Sequence, residues 1–423
     1  MNPLEPADLS IYDRLLRTDA ELEAWLVSGA HHRELAAQLG EAEYELLAPL
    51  ARRAAAATID TAAPVFILPG IMGSQLGRVR PAPWPPNLLW VDPSDIIAGR
   101  LAELQLPSAS TFVTLGAISY TYFALRLRLR AAGVDVQVFD YDWRQSIVQQ
   151  GERLATRLRA CATQRVTLIA HSMGGLLARA ALAAPGLEHV TRVITLGTPH
   201  GGTFAPVQAL RGTYPSVQRL AALDQVHSAD QLAHEVFSTF SSLYEMLPHV
   251  GALTTTELHA PLSWPTHGPQ PRPELLHAAR SFSTRLAPGD ERYTAIVGTG
   301  IRTVTGLARR GDDFDYAISS AGDGTVPMIS AALAGADNRY LHCEHSALPR
   351  DARVAEAVIA LLGTGQCDLH TAPPHTSAPV VKVSDTELRA NSGTKIDWRT
   401  LTADERRRYF NQLNQAPLQY SAT

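Results

Sequence analysis

With 423 residues, 45% of them hydrophobic and 18% charged, the chain has the composition of a globular protein large enough for one big α/β unit with additions or for two smaller domains. A net charge of −4 and the lack of a long basic stripe exclude nucleic acid as an expected partner. No stretch approaches the roughly 20 apolar residues that a membrane-spanning helix needs. Three cysteines (Cys161, Cys343 and Cys367) lack metal or redox spacing, and Met1–Asp8 has neither a basic start nor an apolar run. The expected compartment is the cytoplasm, with peripheral contact to a lipid surface left open.

Residues 1–58 read as a helical extension. Thr18-Asp-Ala-Glu21 fits a capping box, Gly29 a stop, and a helix from Glu41 carries acids in its first turn and Arg52-Arg53 in its last. From there to residue 365 the pattern predicts an α/β core. Short apolar runs at Val65–Leu68, Val134–Phe139, Val166–Ile169, Val190–Leu196, Tyr293–Val297 and Arg339–His342 read as strands. Most are separated by helical stretches near 116–132, 146–162, 173–184 and 351–362. That alternation predicts a mostly parallel sheet flanked by helices. Leu125-Arg-Leu-Arg-Leu-Arg130 alternates with period two, as a strand would. It is assigned to a helix because a parallel crossover must precede Val134. Two proline-rich segments interrupt the alternation: 77–113, with Trp84 and Trp90, reads as a lid-like insertion, and 203–290 as a cap. Residues 366–423 read as a proline-containing linker and tail, with a second capping box at Thr402-Ala-Asp-Glu405.

The strongest chemical signal is Ala170-His-Ser-Met-Gly-Gly175, placed between an apolar run and a helical stretch. Small residues around Ser172 permit the sharp strand–turn–helix elbow that displays a nucleophile at the sheet edge. A serine hydroxyl needs a base and an orienting acid, which in this order of elements follow it as acid, then histidine. Asp323 in Gly322-Asp-Gly-Thr-Val-Pro327 and His345 in Cys343-Glu-His-Ser-Ala-Leu348 meet that order. His342 competes as base but is expected to pack within its strand. Asp312, Asp313 and Asp315 compete as acid but read as a solvated loop. His171, beside the nucleophile, is given no catalytic part. For an oxyanion hole the expected donors are the N–H of Met173 and, from Pro69-Gly-Ile-Met-Gly-Ser74, that of Ile71. Trp84, Trp90 and Trp143 are taken as candidate substrate-binding aromatics. No metal or cofactor is expected, since the six histidines of 203–290 lack ligand spacing.

Together with Tyr141-Asp-Trp-Arg144, Gly197-Thr-Pro-His-Gly-Gly202, Tyr244-Glu-Met-Leu-Pro248 and Leu88-Leu-Trp-Val-Asp92, these motifs make the stretch from Ala63 to Gly363 resemble the lecithin:cholesterol acyltransferase-like lipases and acyltransferases. The resemblance implies an α/β-hydrolase fold and an acyl-serine intermediate passed to water or an alcohol. It assigns Ser172, Asp323 and His345 as the triad. No cysteine pair falls within 77–113, unlike the secreted members. The expected function is a serine-dependent hydrolase or O-acyltransferase of lipid carboxylic esters. An intracellular polyester depolymerase or thioesterase, or a non-catalytic lipid-binding protein, are the alternatives.

Overall fold

A computed structural model describes residues 18–82, 86–251, 253–375, 380–390 and 394–413. Six strands form the central sheet: β1 (Asp60–Leu68), β2 (Val134–Val138), β3 (Val166–His171), β4 (Val190–Leu196), β5 (Tyr293–Thr299) and β6 (Asp337–His342). Their order is β6-β5-β4-β3-β1-β2, and every neighbouring pair is parallel. Every residue of β5 is buried, as expected for a strand covered on both faces. This is an α/β-hydrolase-like fold.

Alternation along the strands sorts the side chains into two cores. Val65, Ile67, Ile169, Ile194 and Ile296 face the helices Ser119–Ala131 and Ala352–Gly363. Phe66, Leu68, Leu168, Val193 and Val297 face Ile147–Arg159 and Met173–Leu182. The period-two run of leucines does lie in a helix, and the packing explains its pattern. Leu125 and Leu129 face the sheet, whereas Leu127 faces the N-terminal helices Asp19–Ser28, His32–Leu39 and Glu41–Ala56. A helix clamped between two layers needs apolar residues on opposite sides. The N-terminal layer is also tied down by Glu23, which receives a hydrogen bond from Arg130. Both capping boxes form, at Thr18/Glu21 and Thr402/Glu405.

Segment 77–113 departs from a surface lid. The strands Ser74–Arg78, Asn87–Trp90 and Phe112–Ala117 build a small antiparallel sheet, and Leu88, Leu89, Trp90, Ile96, Leu101 and Leu104 are buried. The stretch read as linker and tail is also packed. Val381–Ser384 adds an antiparallel strand to Asp313–Ser319. Directly after it, Asp385 is fully buried against Arg211, and Trp398 is buried further on. Among the described residues no helix is long and apolar enough to cross a membrane.

Candidate active site

Parallel strands deliver the loops that follow them to one edge of the sheet, and the register aligns their ends: Leu68 with Ala170, His171 with Leu196, Leu196 with Ile296. Ser172 follows β3 directly, at φ 54° and ψ −127°. A residue with a Cβ is strained there, and such strain is the signature of a nucleophile elbow. The turn closes tightly, because a Cβ on Gly174 would lie 2.4 Å from the carbonyl oxygen of Leu68. Gly197, directly after β4 at φ 59°, is needed for a second reason. A side chain there would come within 2.9 Å of Asp323 Oδ2 and 3.0 Å of His345 Nδ1.

The three residues singled out from the sequence meet at this edge. His345 Nε2 lies 2.9 Å from Ser172 Oγ, and His345 Nδ1 lies 2.7 Å from Asp323 Oδ2. Asp323 is fully buried, and its other oxygen accepts the N–H groups of Thr325 (3.0 Å) and Val326 (2.7 Å). The His345 N–H donates to the Asp323 carbonyl at 2.8 Å, fixing the backbone of one residue against the other. The competitors lie elsewhere. Asp312 accepts from Thr266, Asp315 pairs with Arg310, and Asp313 starts a strand away from the edge. His342 ends β6 but is exposed rather than packed, because the strand stops there.

The loop after β1 is held peptide by peptide. Tyr141 OH donates to the carbonyl of Pro69 at 2.7 Å, and the N–H of the same peptide, that of Gly70, donates to Tyr122 OH at 2.8 Å. The next peptide is anchored by Gly73 N–H, which donates to the Gly70 carbonyl at 3.0 Å. With the Gly70 and Gly73 N–H groups used, Ile71 and Met72 carry the N–H groups of the turn not spent in this way. Met173 opens the helix Met173–Leu182, at its positive end.

Two of the three expected substrate aromatics lie away from the cavity. Trp90 and Trp143 are buried, stacked edge to face 5.3 Å apart, and absent from the cavity wall. Their indole N–H groups donate to the carbonyls of Met72 and Ser74, each at 3.0 Å. A buried indole must satisfy its N–H, and here one does so on the loop after β1 and the other at the start of the strand Ser74–Arg78. Asp142 and Arg144, flanking Trp143, form a buried pair of their own at 2.7 Å. Trp84 lies outside the described residues.

A cavity of about 90 Å³ opens above Ser172, lined by Ile71, Met72, His171, Ser172 and His345 from the core. Thr203, Ala205, Pro206, Ala209, Tyr214, Phe237, Leu243 and Met246 complete much of the remaining wall. The cover therefore comes from segment 203–290. Among the described residues, 77–113 contributes nothing to it. The wall is mainly apolar, with hydroxyls besides Ser172 at Thr121, Tyr122, Thr203, Tyr214, Ser216, Thr325 and Ser346. Of metal-type ligands among the described residues, His267, Asp313 and Asp385 bring one atom each within 4.8 Å of one another. Asp385 already accepts from Arg211, Arg389 and Tyr316, and two guanidinium groups oppose a cation there.

In the sequence no motif marks Tyr122 and His171 is given no catalytic part, and the structure joins the two side chains at 3.0 Å. His171 is buried, and its pKa falls well below the ordinary imidazole value, through burial first and its neighbour His345 second. Tyr122 sits 49 residues upstream with no motif around it, so nothing local announces the contact.

Comparison with known proteins adds a domain-level likeness. Residues 142–246 match the family model of the PGAP1-like alpha/beta domain. That segment holds the elbow and much of the cavity wall. The match bears out the α/β-hydrolase reading without singling out the lecithin:cholesterol acyltransferase-like family. No curated protein sequence matches the chain. Among solved structures, the mature Bacillus licheniformis lipase BlEst2 aligns at 16% identity and TM-score 0.37, over 73% of this chain and 94% of that one. Tle4, in complex with Tli4, aligns at 16% and 0.41, over 71% and 98%. The Listeria innocua lin2722 product aligns at 12% and 0.31, over 74% and 100%. At these scores the likenesses carry nothing about substrate.

Proposed function

We propose that the chain is a serine esterase of lipid-type carboxylic esters, working through an acyl-serine. The observation that carries this reading is the continuous chain from Asp323 through His345 to Ser172 Oγ, at 2.7 and 2.9 Å, at the floor of a mainly apolar cavity. In this mechanism Ser172 Oγ attacks the ester carbonyl while His345 Nε2 takes its proton. Asp323 holds the ring by Nδ1 and stabilises the imidazolium that forms. The N–H groups of Ile71 and Met173 receive the oxyanion, each worth about 3 kcal/mol in the transition state. His345 then returns the proton to the leaving alcohol, and water or a second alcohol releases the acyl group.

A fluorophosphonate probe tests the reading and separates it from a silent lipid-binding protein. It should label the wild type at Ser172 and leave Ser172→Ala unlabelled, with turnover of a short-chain ester lost by several orders of magnitude. A folded Ser172→Ala protein that still cleaves the ester would refute it. Mass analysis of products from mixed phospholipids, with and without a sterol or diacylglycerol, then identifies donor and acceptor.

A further inference from the structure

His171 is buried beside the nucleophile yet has no part in the proton transfers described above. Its two ring nitrogens face different catalytic loops. Nε2 lies 3.0 Å from the main-chain carbonyl of His345, and Nδ1 lies 3.0 Å from Tyr122 OH. A carbonyl only accepts, so Nε2 must carry the proton. In the neutral ring Nδ1 is then an acceptor, and Tyr122 must donate to it. The same hydroxyl accepts the Gly70 N–H at 2.8 Å. The bonds therefore run in one sense, from Gly70 N–H to Tyr122 OH to His171 Nδ1, and from His171 Nε2–H to the carbonyl of His345.

We infer that Tyr122 and His171 are positioning residues that lock the oxyanion loop to the loop of the general base, with His171 donating from Nε2 to the His345 carbonyl. The inference rests on the esterase reading above. The loops it joins are otherwise far apart in the chain, and each fixes one half of the reaction. Tyr122 OH holds the Gly70 N–H, one residue before the Ile71 N–H, at the start of the turn that bears it. His171 sets the carbonyl of the residue whose ring takes the serine proton. Neutrality matters as well, since the His171 and His345 ring centres are 4.9 Å apart and His345 becomes cationic during acylation. A second cation at that distance would oppose it. Burial holds His171 far from protonation, and burial likewise raises Tyr122 well above the ordinary phenol range.

The test compares His171→Leu, His171→Gln and Tyr122→Phe with wild type, each checked for folding by its melting transition. The readouts are kcat and KM on a soluble short-chain ester and inhibition by a trifluoromethyl ketone, which forms a tetrahedral adduct with the serine. Displacing reacting groups by about an ångström costs on the order of 100-fold. His171→Leu should therefore lose about 100-fold in kcat with little change in KM, and ketone affinity should fall in parallel with kcat/KM. Gln can donate to the His345 carbonyl and accept from Tyr122, so His171→Gln should recover most of that loss. Tyr122→Phe should resemble His171→Leu. Equal turnover by wild type and the folded Leu and Phe variants would overturn the inference. So would a Gln variant as impaired as Leu, or a loss confined to KM. A wild type that neither turns over esters nor takes a fluorophosphonate would instead overturn the esterase reading and the inference with it.

Discussion

Segments 77–113 and 203–290 are both rich in proline and both carry tryptophan, yet they relate to the cavity in opposite ways. The first folds into a three-stranded sheet with Leu88, Leu89 and Trp90 buried, and Trp90 spends its indole N–H on the Met72 carbonyl. The second also buries its tryptophan, Trp264, with the N–H on the Leu258 carbonyl, but it sends Ala205, Ala209, Phe237, Leu243 and Met246 to the cavity wall. One segment supports the loop after β1, while the other lines the cavity above Ser172. Tryptophan and proline content does not distinguish these roles. What distinguishes them is whether small and flexible side chains line an unfilled volume.

The largest effect expected from this contrast is on stability. Trp90→Ala removes a large, 2% exposed side chain and the donor on Met72, which should cost about 3–5 kcal/mol. Because Trp90 braces the loop after β1, turnover of short and long esters should fall together with the melting temperature. A variant that melts normally but loses only emulsified substrates would restore the lid reading of 77–113.

A cavity-filling change in the other segment should behave differently. Ala205 is half-buried at the start of the helix Ala205–Leu210 and lines the cavity. Ala205→Leu places three more carbons in a space of about 90 Å³. Long-chain esters should lose about tenfold to 100-fold in kcat/KM relative to a short-chain ester, the scale of roughly 1–3 kcal/mol typical of pocket fit. The melting temperature should hardly move. An equal loss on both chain lengths would remove 203–290 from the acyl pocket.

Much of the sheet was legible because its strands are compact apolar runs and helices such as Ser119–Ala131, Ile147–Arg159 and Met173–Leu182 separate several of them. The meeting of Ser172, Asp323 and His345 was legible in part: Ser172 and His345 follow the ends of central strands, whereas Asp323 returns to the end of β5, bridging Ile301, only after the antiparallel strands Thr303–Arg310 and Asp313–Ser319. What was not legible came from contacts between distant residues. The period-two leucines needed the N-terminal helices to explain them. The tryptophans needed the location of their acceptors, and His171 needed Tyr122. The tail was read as a linker from its prolines, whereas Asp385 anchors it through a buried ion pair with Arg211, 174 residues away. No local pattern encodes an acceptor at that separation.

The smallest expected effect concerns how segment 203–290 is fastened to the core. Glu245, between the cavity residues Leu243 and Met246, accepts from Ser146 Oγ and Ile147 N–H at the start of the helix Ile147–Arg159. Burial nonetheless pushes its pKa up to about 7, against the lowering influence of those two donors and of Arg285. A carboxyl whose folded pKa is raised binds its proton more tightly folded than unfolded. Its contribution is therefore fully present below about pH 4.5 and is lost as pH rises through about 7. Glu245→Gln keeps an oxygen acceptor but cannot ionise, so it should remove this slope. Denaturant titrations at pH 5 and pH 8 should show wild type losing on the order of 1 kcal/mol relative to the variant between those two values, after discounting for partial exposure. The 77–113 side of the comparison supplies the control. Trp90 meets the core through a neutral indole-to-carbonyl bond, so the deficit of Trp90→Ala should stay constant over the same pH range. A flat difference for Glu245→Gln would mean that the carboxyl is already ionised at its helix N-terminus, and that the two segments are fastened alike.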